Sequence, residues 1–390
     1  MAARRETVLD AVIDSDQHLF EPRDLWQRYI DPAARDDALA IVDDALGHPW
    51  LTWRGRRLGL ADVQRPGETD AIGQRRERAR AGLPPLERYD EALPRDYWDP
   101  DARVAKLDAL GVDEAVLFPN YGLAWERTLD AAPPALLANL GAWNRWAREV
   151  ARQGRGRLHP VAHLTLRDLD WLEAELALLG RDGVRLAMIA PALVDGRPLS
   201  DPCLEPAWSA CVAYGVTPVF HVADQRRPFD DAWYTDAGEG RVAPVVETVF
   251  LWTAPALALT DLIVNGVLAR HPELRIGVVE LSAVWVPLYL MMLDGGHRFA
   301  TRLDGRARVE LEMEPSGYFR RQVRVSCFAY ELPRRLIRRS GELFMCCSDY
   351  PHSEGTRTPL ADYAAPGRHG LVPADSPALF RENAELLLGR

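Results

Sequence analysis

The chain has 390 residues, 47% hydrophobic and 27% charged, with a formal net charge of -10 at pH 7. This acidic balance argues against nucleic acid as a partner, and no apolar run is long enough for a membrane span. Five cysteines with no CxxC pair read as reduced, buried thiols, and no apolar stretch of a signal peptide follows Met1, so a cytoplasmic protein is expected.

The first predicted strand, about 8–16, emerges into Asp14-Ser15-Asp16-Gln17-His18. Side chains two apart on a strand share a face, so Asp16 and His18 project together. From about 31 to 98 the chain is rich in Arg, Asp, Gly and Pro, with Trp50 and Trp53 as aromatic islands, and reads as an insertion. Further strands are predicted at about 112–118, 159–165, 183–190, 216–221, 274–280, 322–328 and 342–348. Amphipathic helical stretches separate most of them, and Gly111, Gly183 and Gly215 sit where preceding helices should end. A long connection, about 222–260, follows the fifth strand and carries Arg226, Trp233 and Tyr234, as a lid over a pocket would. The last strand runs out into Ser348-Asp349-Tyr350-Pro351-His352, where a buried acid and imidazole are costly without partners.

Eight strand–helix repeats predict an α/β fold, a (β/α)8 TIM barrel, with an insertion after strand one and a long loop after strand five. Barrels of this kind commonly run to this length as one domain, here 1–390. Asp16, His18, Asn120, His163, His221, Glu280, Tyr330 and Asp349 end their strands on one face. Polar pairs at the first and last strand mouths predict a metal-centred active site, although either pair alone could simply cap a turn.

The segments Asp14 to Pro22, Gly196 to Pro202, Val219-Phe220-His221, His271 to Ile276 and Ser348 to His352, with Asn383-Ala384, resemble the amidohydrolase-related (amidohydrolase 2) family. The similarity is to its aminocarboxymuconate-semialdehyde decarboxylase-like branch, within the metal-dependent hydrolase superfamily, which holds lyases and hydrolases. The resemblance implies metal ligands at Asp16, His18, His221 and Asp349. Asp16-Gln17-His18 is closer to the Glu-x-His of many decarboxylases than to the His-x-His of the hydrolases. Glu280 stands where those decarboxylases carry a histidine after the sixth strand. Binuclear members use a carboxylated lysine on the fourth strand, yet Lys106 is the only lysine here and precedes the second strand, so one metal is expected. The mixed N/O set suits zinc as the default, with manganese and iron also compatible.

The expected activity is non-oxidative decarboxylation of a small aromatic or unsaturated carboxylic acid, with Asp349, Glu280 and His352 as catalytic candidates. The alternative is hydrolysis of an amide, lactone or C–C bond by metal-activated water, with Asp349 taking the proton. A barrel that binds without catalysis is the third reading. Glu21 reads as a capping acid, as a group supporting the site or as an extra ligand, and is counted with Arg226 and Trp233 of the lid among the substrate contacts. A homodimer or higher homo-oligomer is expected.

Overall fold

The computed structural model describes residues 11–43, 49–58, 81–83, 93–120, 126–222, 228–235, 245–352, 355–365 and 370–390. Nine parallel strand segments fill the eight predicted positions: β1 (Ile13–Leu19), β5 (Glu114–Pro119), β6 (Leu158–Pro160), β7 (Ala162–His163), β8 (Leu186–Met188), β9 (Thr217–His221), β10 (Ile276–Val279), β11 (Val323–Cys327) and β12 (Phe344–Cys346). The third predicted strand is divided at Val161 into β6 and β7. The remaining strands, β2 (Leu39–Asp43), β3 (Pro49–Trp53) and β4 (Arg56–Arg57), form an antiparallel sheet between β1 and β5. Trp50 and Trp53 there are buried, which makes them packing residues.

The parallel strands lie in two sheets, β1-β5-β6 and β12-β11-β10-β9-β8-β7. The chain itself joins the sheets at Val161. At the other edges His18 N donates to Tyr350 O at 2.8 Å and Asp349 N to Asp16 O at 2.8 Å, so the mouths of the first and last strands meet. Helices follow the strands, among them α1 (Pro100–Leu110) before β5, α2 (Pro133–Gln153), α3 (Leu169–Arg181), α4 (Glu205–Tyr214), α5 (Thr253–Val264), α6 (Val286–Asp304) and the terminal α7 (Asn383–Leu387). Gly111 and Gly215 end α1 and α4 in the left-handed region, with φ 75° and 62°, which glycine enters without Cβ strain. Ile13, Val116, Phe118, Val161, Met188, Val219, Val279 and Met345 form one apolar cluster with Ala384 and Leu387 of α7. That cluster is drawn from six of the nine parallel strands and from Val161 between β6 and β7.

Candidate metal centre

β1 carries a local irregularity that decides what faces inward. Ile13 and Asp14 pair with Glu114 and Ala115, whereas Gln17 and His18 pair with Leu117 and Phe118. One extra residue is therefore accommodated on β1, and such a bulge reverses the alternation of faces. Ile13 points into the apolar cluster, and beyond the bulge it is Asp16 and His18 that turn to the same interior.

The other groups arrive from strand ends. His221 closes β9, with its ring 4.2 Å from Phe118 between centroids. Glu280 follows β10 and Asp349 follows β12. Both adopt a left-handed backbone, φ 53° and 54°, as does Ser282 at 62°. Such a conformation costs of order 1–3 kcal/mol in a residue with a Cβ and concentrates where side-chain aim matters. His18 Nε2 lies 3.5 Å from Asp16 Oδ1, 3.6 Å from Glu280 Oε2 and 3.1 Å from Asp349 Oδ1. His221 Nε2 lies 3.5 Å from Asp16 Oδ1 and 3.2 Å from Glu280 Oε2. The Asp16, His18, His221 and Asp349 side chains are fully buried and Glu280 is 14% exposed, so the set opens toward solvent at Glu280.

The donor chemistry fits a cation. His18 Nδ1 meets Pro119 O at 2.9 Å and His221 Nδ1 meets Val222 O at 2.8 Å. A carbonyl only accepts, so both Nδ1 atoms carry protons and both Nε2 atoms turn to the centre, the arrangement usual for metal-binding imidazoles. Within the described residues, Asp16 Oδ1 and Oδ2, His18 Nε2, His221 Nε2, Glu280 Oε2 and Asp349 Oδ1 and Oδ2 complete no hydrogen bond. Of these seven buried atoms only Asp349 Oδ1 has a close ion-pair partner outside the set, in His352, and so many unsatisfied polar atoms would be prohibitive unless something else satisfies them. Asp16, His18, His221 and Glu280 offer atoms close enough to share one ion, as do His18, Glu280, Asp349 and His352.

Electrostatics point the same way. Burial, reinforced by the charge of Asp349, pushes Asp16 well above the usual carboxylate range and raises Glu280. Burial would lower His18, but close contact with Asp349 and Glu280 outweighs it and holds the imidazole well above its ordinary value. For His221 burial wins and pushes it down to about 4. Asp349 is held below the usual range despite burial, because His352 and His18 flank it. His352 is raised by Asp349 against the opposing effects of burial and of His18. These shifts mark a concentration of carboxylates that a cation would neutralise.

His352 Nδ1 is 2.9 Å from Asp349 Oδ1 and its Nε2 is 3.0 Å from Asn120 Oδ1, while its ring stacks on His18 at 3.8 Å. Glu21, buried, accepts from Asn120 N at 3.2 Å and so lies behind Asn120, outside both candidate ion sets. His163 faces Glu126 at 3.2 Å and is also outside them. Trp233 is 69% exposed, and Arg226 lies outside the described residues. Of the cysteines expected to be buried, Cys203 is exposed, because it sits on the polar turn before α4; the other four are buried, and all five are free thiols.

Sequence reading missed the supports. Asp14 accepts from Ser348 N at 2.9 Å, from Ser348 Oγ, and from Gln17 Nε2 at 2.8 Å, and burial raises its carboxyl to about 6. Arg103 of α1, fully buried, donates to Gln17 Oε1 at 3.1 Å, His18 O at 2.7 Å and Asp96 O at 2.7 Å. Asp14 was detectable as a third polar residue in a buried strand. Arg103 gave no such signal, since a helical arginine ordinarily reads as solvated.

Residues 13–390 match the family model described as amidohydrolase, and the chain belongs to that family. It is a metal-dependent enzyme of that class. The chain is similar in structure to an amidohydrolase from Mycobacterium avium subsp. paratuberculosis K-10, with 23% identity, 97% of this chain and 99% of that one covered, and a TM-score of 0.74. A 5-carboxyvanillate decarboxylase from Novosphingobium aromaticivorans, solved with manganese and 3-methoxy-4-hydroxy-5-nitrobenzoic acid, shares 19% identity over 97% of each chain, TM-score 0.66. A dihydroxybenzoic acid decarboxylase from Polaromonas sp. JS666, solved with manganese and 2-nitroresorcinol, shares 15% identity over 98% of this chain and 97% of that one, TM-score 0.61. At these identities the likeness establishes the fold alone. No curated protein matches the sequence. No helix among the described residues is long and apolar enough to cross a membrane.

Proposed function

We propose that the chain is a non-oxidative decarboxylase of a small aromatic or unsaturated carboxylic acid, dependent on one divalent metal. The observation that carries the reading is the convergence at the strand mouths of seven buried ligand atoms that complete no hydrogen bond, in a fold shared with decarboxylases of aromatic acids. We read the two sheets, joined at Val161 and by the β1–Tyr350 hydrogen bonds, as one (β/α)8 barrel and one domain. Asp16, His18, His221 and Asp349 would hold the metal. Manganese in two structural neighbours favours it over the zinc expected from ligand type. Lys106, the only lysine of the chain, lies before β5 and over the Tyr350 ring, in keeping with a mononuclear centre.

When bound, the metal supplies a Lewis acid that draws the substrate carboxylate and stabilises developing negative charge. Glu280, the donor nearest solvent and raised by burial, would deliver a proton to the carbon bearing the carboxylate. A π pair of the ring or alkene forms the C–H bond, leaving Glu280 as a carboxylate; the C–C bond then breaks, its electron pair restores the π bond, and CO2 leaves. His352, fixed between Asp349 and Asn120 and stacked on His18, orients that wall of the site. The similarity to the mycobacterial amidohydrolase favours a second reading, in which Asp349 and His352 take a proton from water during hydrolysis. Metal-loaded protein should release CO2 from hydroxylated benzoic acids; acid production from amides or lactones without CO2 release would replace the first reading with the second.

A further inference from the structure

His163 ends β7 on the inner side of the strand. Val161, two residues earlier, and Met188, its register partner on β8, both belong to the apolar interior cluster. Its height follows from the pairings. His18 pairs with Phe118 and Leu117 with Pro160, which sets Phe118 beside Val161, two residues short of His163. Onward, His163 pairs with Met188 and Met188 with Val219, two residues short of His221. In a (β/α)8 barrel, a shear of about eight staggers neighbours by about one residue per strand. Two strands across and two residues along is therefore one height. His18, His163 and His221 form one tier from alternate strands, on an apolar floor of Phe118, Met188 and Val279.

The fold fixes His163 with buried polar groups. Asn144 of α2, fully buried, accepts from His163 N at 2.8 Å and donates to its O at 3.1 Å, clamping the main chain where β6 gives way to β7. The ring then meets Glu126, 15% exposed, with Nε2 3.2 Å from Oε2. A carboxylate only accepts, and its two oxygens can take donors beyond this imidazole. Strand spacing and rise put the Cα atoms of His163 and His221 about 10 Å apart, with both rings pointing inward. One aromatic ring bridges such a gap, its carboxylate at the metal and a substituent at Glu126.

We propose that His163 and Glu126 form the distal end of the substrate pocket and select a hydroxyl on the ring, meta or para to the carboxylate, that donates to Glu126. The inference rests on the barrel and decarboxylase reading above. A second carboxylate is the wrong occupant, since Glu126 would repel it. Calorimetric titration of the metal-loaded protein with benzoic acids that differ only by that hydroxyl tests the assignment, with CO2 read separately from the same pairs. Wild type should bind the hydroxylated member at least about tenfold more tightly, the effect of one hydrogen bond to a charged group. Glu126→Gln and His163→Gln should each bring that ratio to within about threefold of unity, with metal content unchanged. A ratio near one in the wild type, a ratio that survives in both variants, or equal weakening of both acids, the mark of a purely structural pair, would each overturn the proposal. The expected ratios without CO2 release would support this pocket and remove the decarboxylase reading instead.

Discussion

Glu280 and Asp349 are both carboxylates at strand mouths, yet their surroundings differ. Asp349 is fully buried between His18 and His352 and is held ionised, as a ligand requires. Glu280 reaches solvent and is pushed toward its protonated form by burial and by the Asp349 charge, as a proton donor requires. Glu280→Gln should therefore keep its metal, measured by elemental analysis, while kcat falls about 10²–10⁴-fold. Loss of metal in that variant would make Glu280 a ligand and pass the proton to His352, because Glu280 Oε2 also lies within reach of both imidazoles. Asp349→Asn should lose both metal and turnover with the fold intact by circular dichroism, since a neutral amide is a poor ligand.

At the scale of single elements, β1 is aimed by its neighbours more than by its own pattern. The Asp14 carboxylate ties it to Ser348 beyond β12, and Arg103 reaches across from α1 to hold the backbone carbonyl of His18. Replacing Arg103 by Met should cost about 2–4 kcal/mol in chemical denaturation, because two buried acceptors and a part-buried one lose their donor. Metal affinity should fall with it, as His18 and Asp16 lose their fixed position. The strands themselves were legible in sequence because each is a short apolar run closed by a polar residue that burial would penalise. Asp16 and His18 were rightly placed on one shared face, but the bulge that turns this face inward was not legible, since it is seen only in the pairing of β1 with β5. Trp50 and Trp53, the aromatic islands of the predicted insertion, are core residues of the small antiparallel sheet, and composition alone does not separate a packing tryptophan from one that lines a pocket.

For the whole molecule, the centre and the fold are coupled through charge. A divalent cation held by Asp16 and His18 would compete with protons for the same lone pairs, since both groups are raised well above their ordinary values. Metal affinity should therefore fall as pH drops, and at a hundredfold excess over Kd the metal should raise Tm by about 3 °C, lost on adding chelator. A second pH dependence lies at the opposite end of the strands. Glu114, at the start of β5, receives Arg390 Nη2 at 2.6 Å and meets His159 Nε2 of β6 at 2.6 Å. Burial opposes ionisation, but these two contacts outweigh it and pull the carboxyl from its ordinary 4.5 down to about 2. A depressed acid stabilises the fold fully above its unfolded value and loses that contribution as pH falls from 4.5 toward 2. The Arg390 side chain is 43% exposed, so screening reduces the nominal shift to about 1–2 kcal/mol. Glu114→Gln should be less stable than wild type by that amount at pH 7, with the gap closing below about pH 4. A gap that persists undiminished at pH 2.5 would mean that Glu114 acts through packing, and that β5, β6 and the residues after α7 are not held together by this charge.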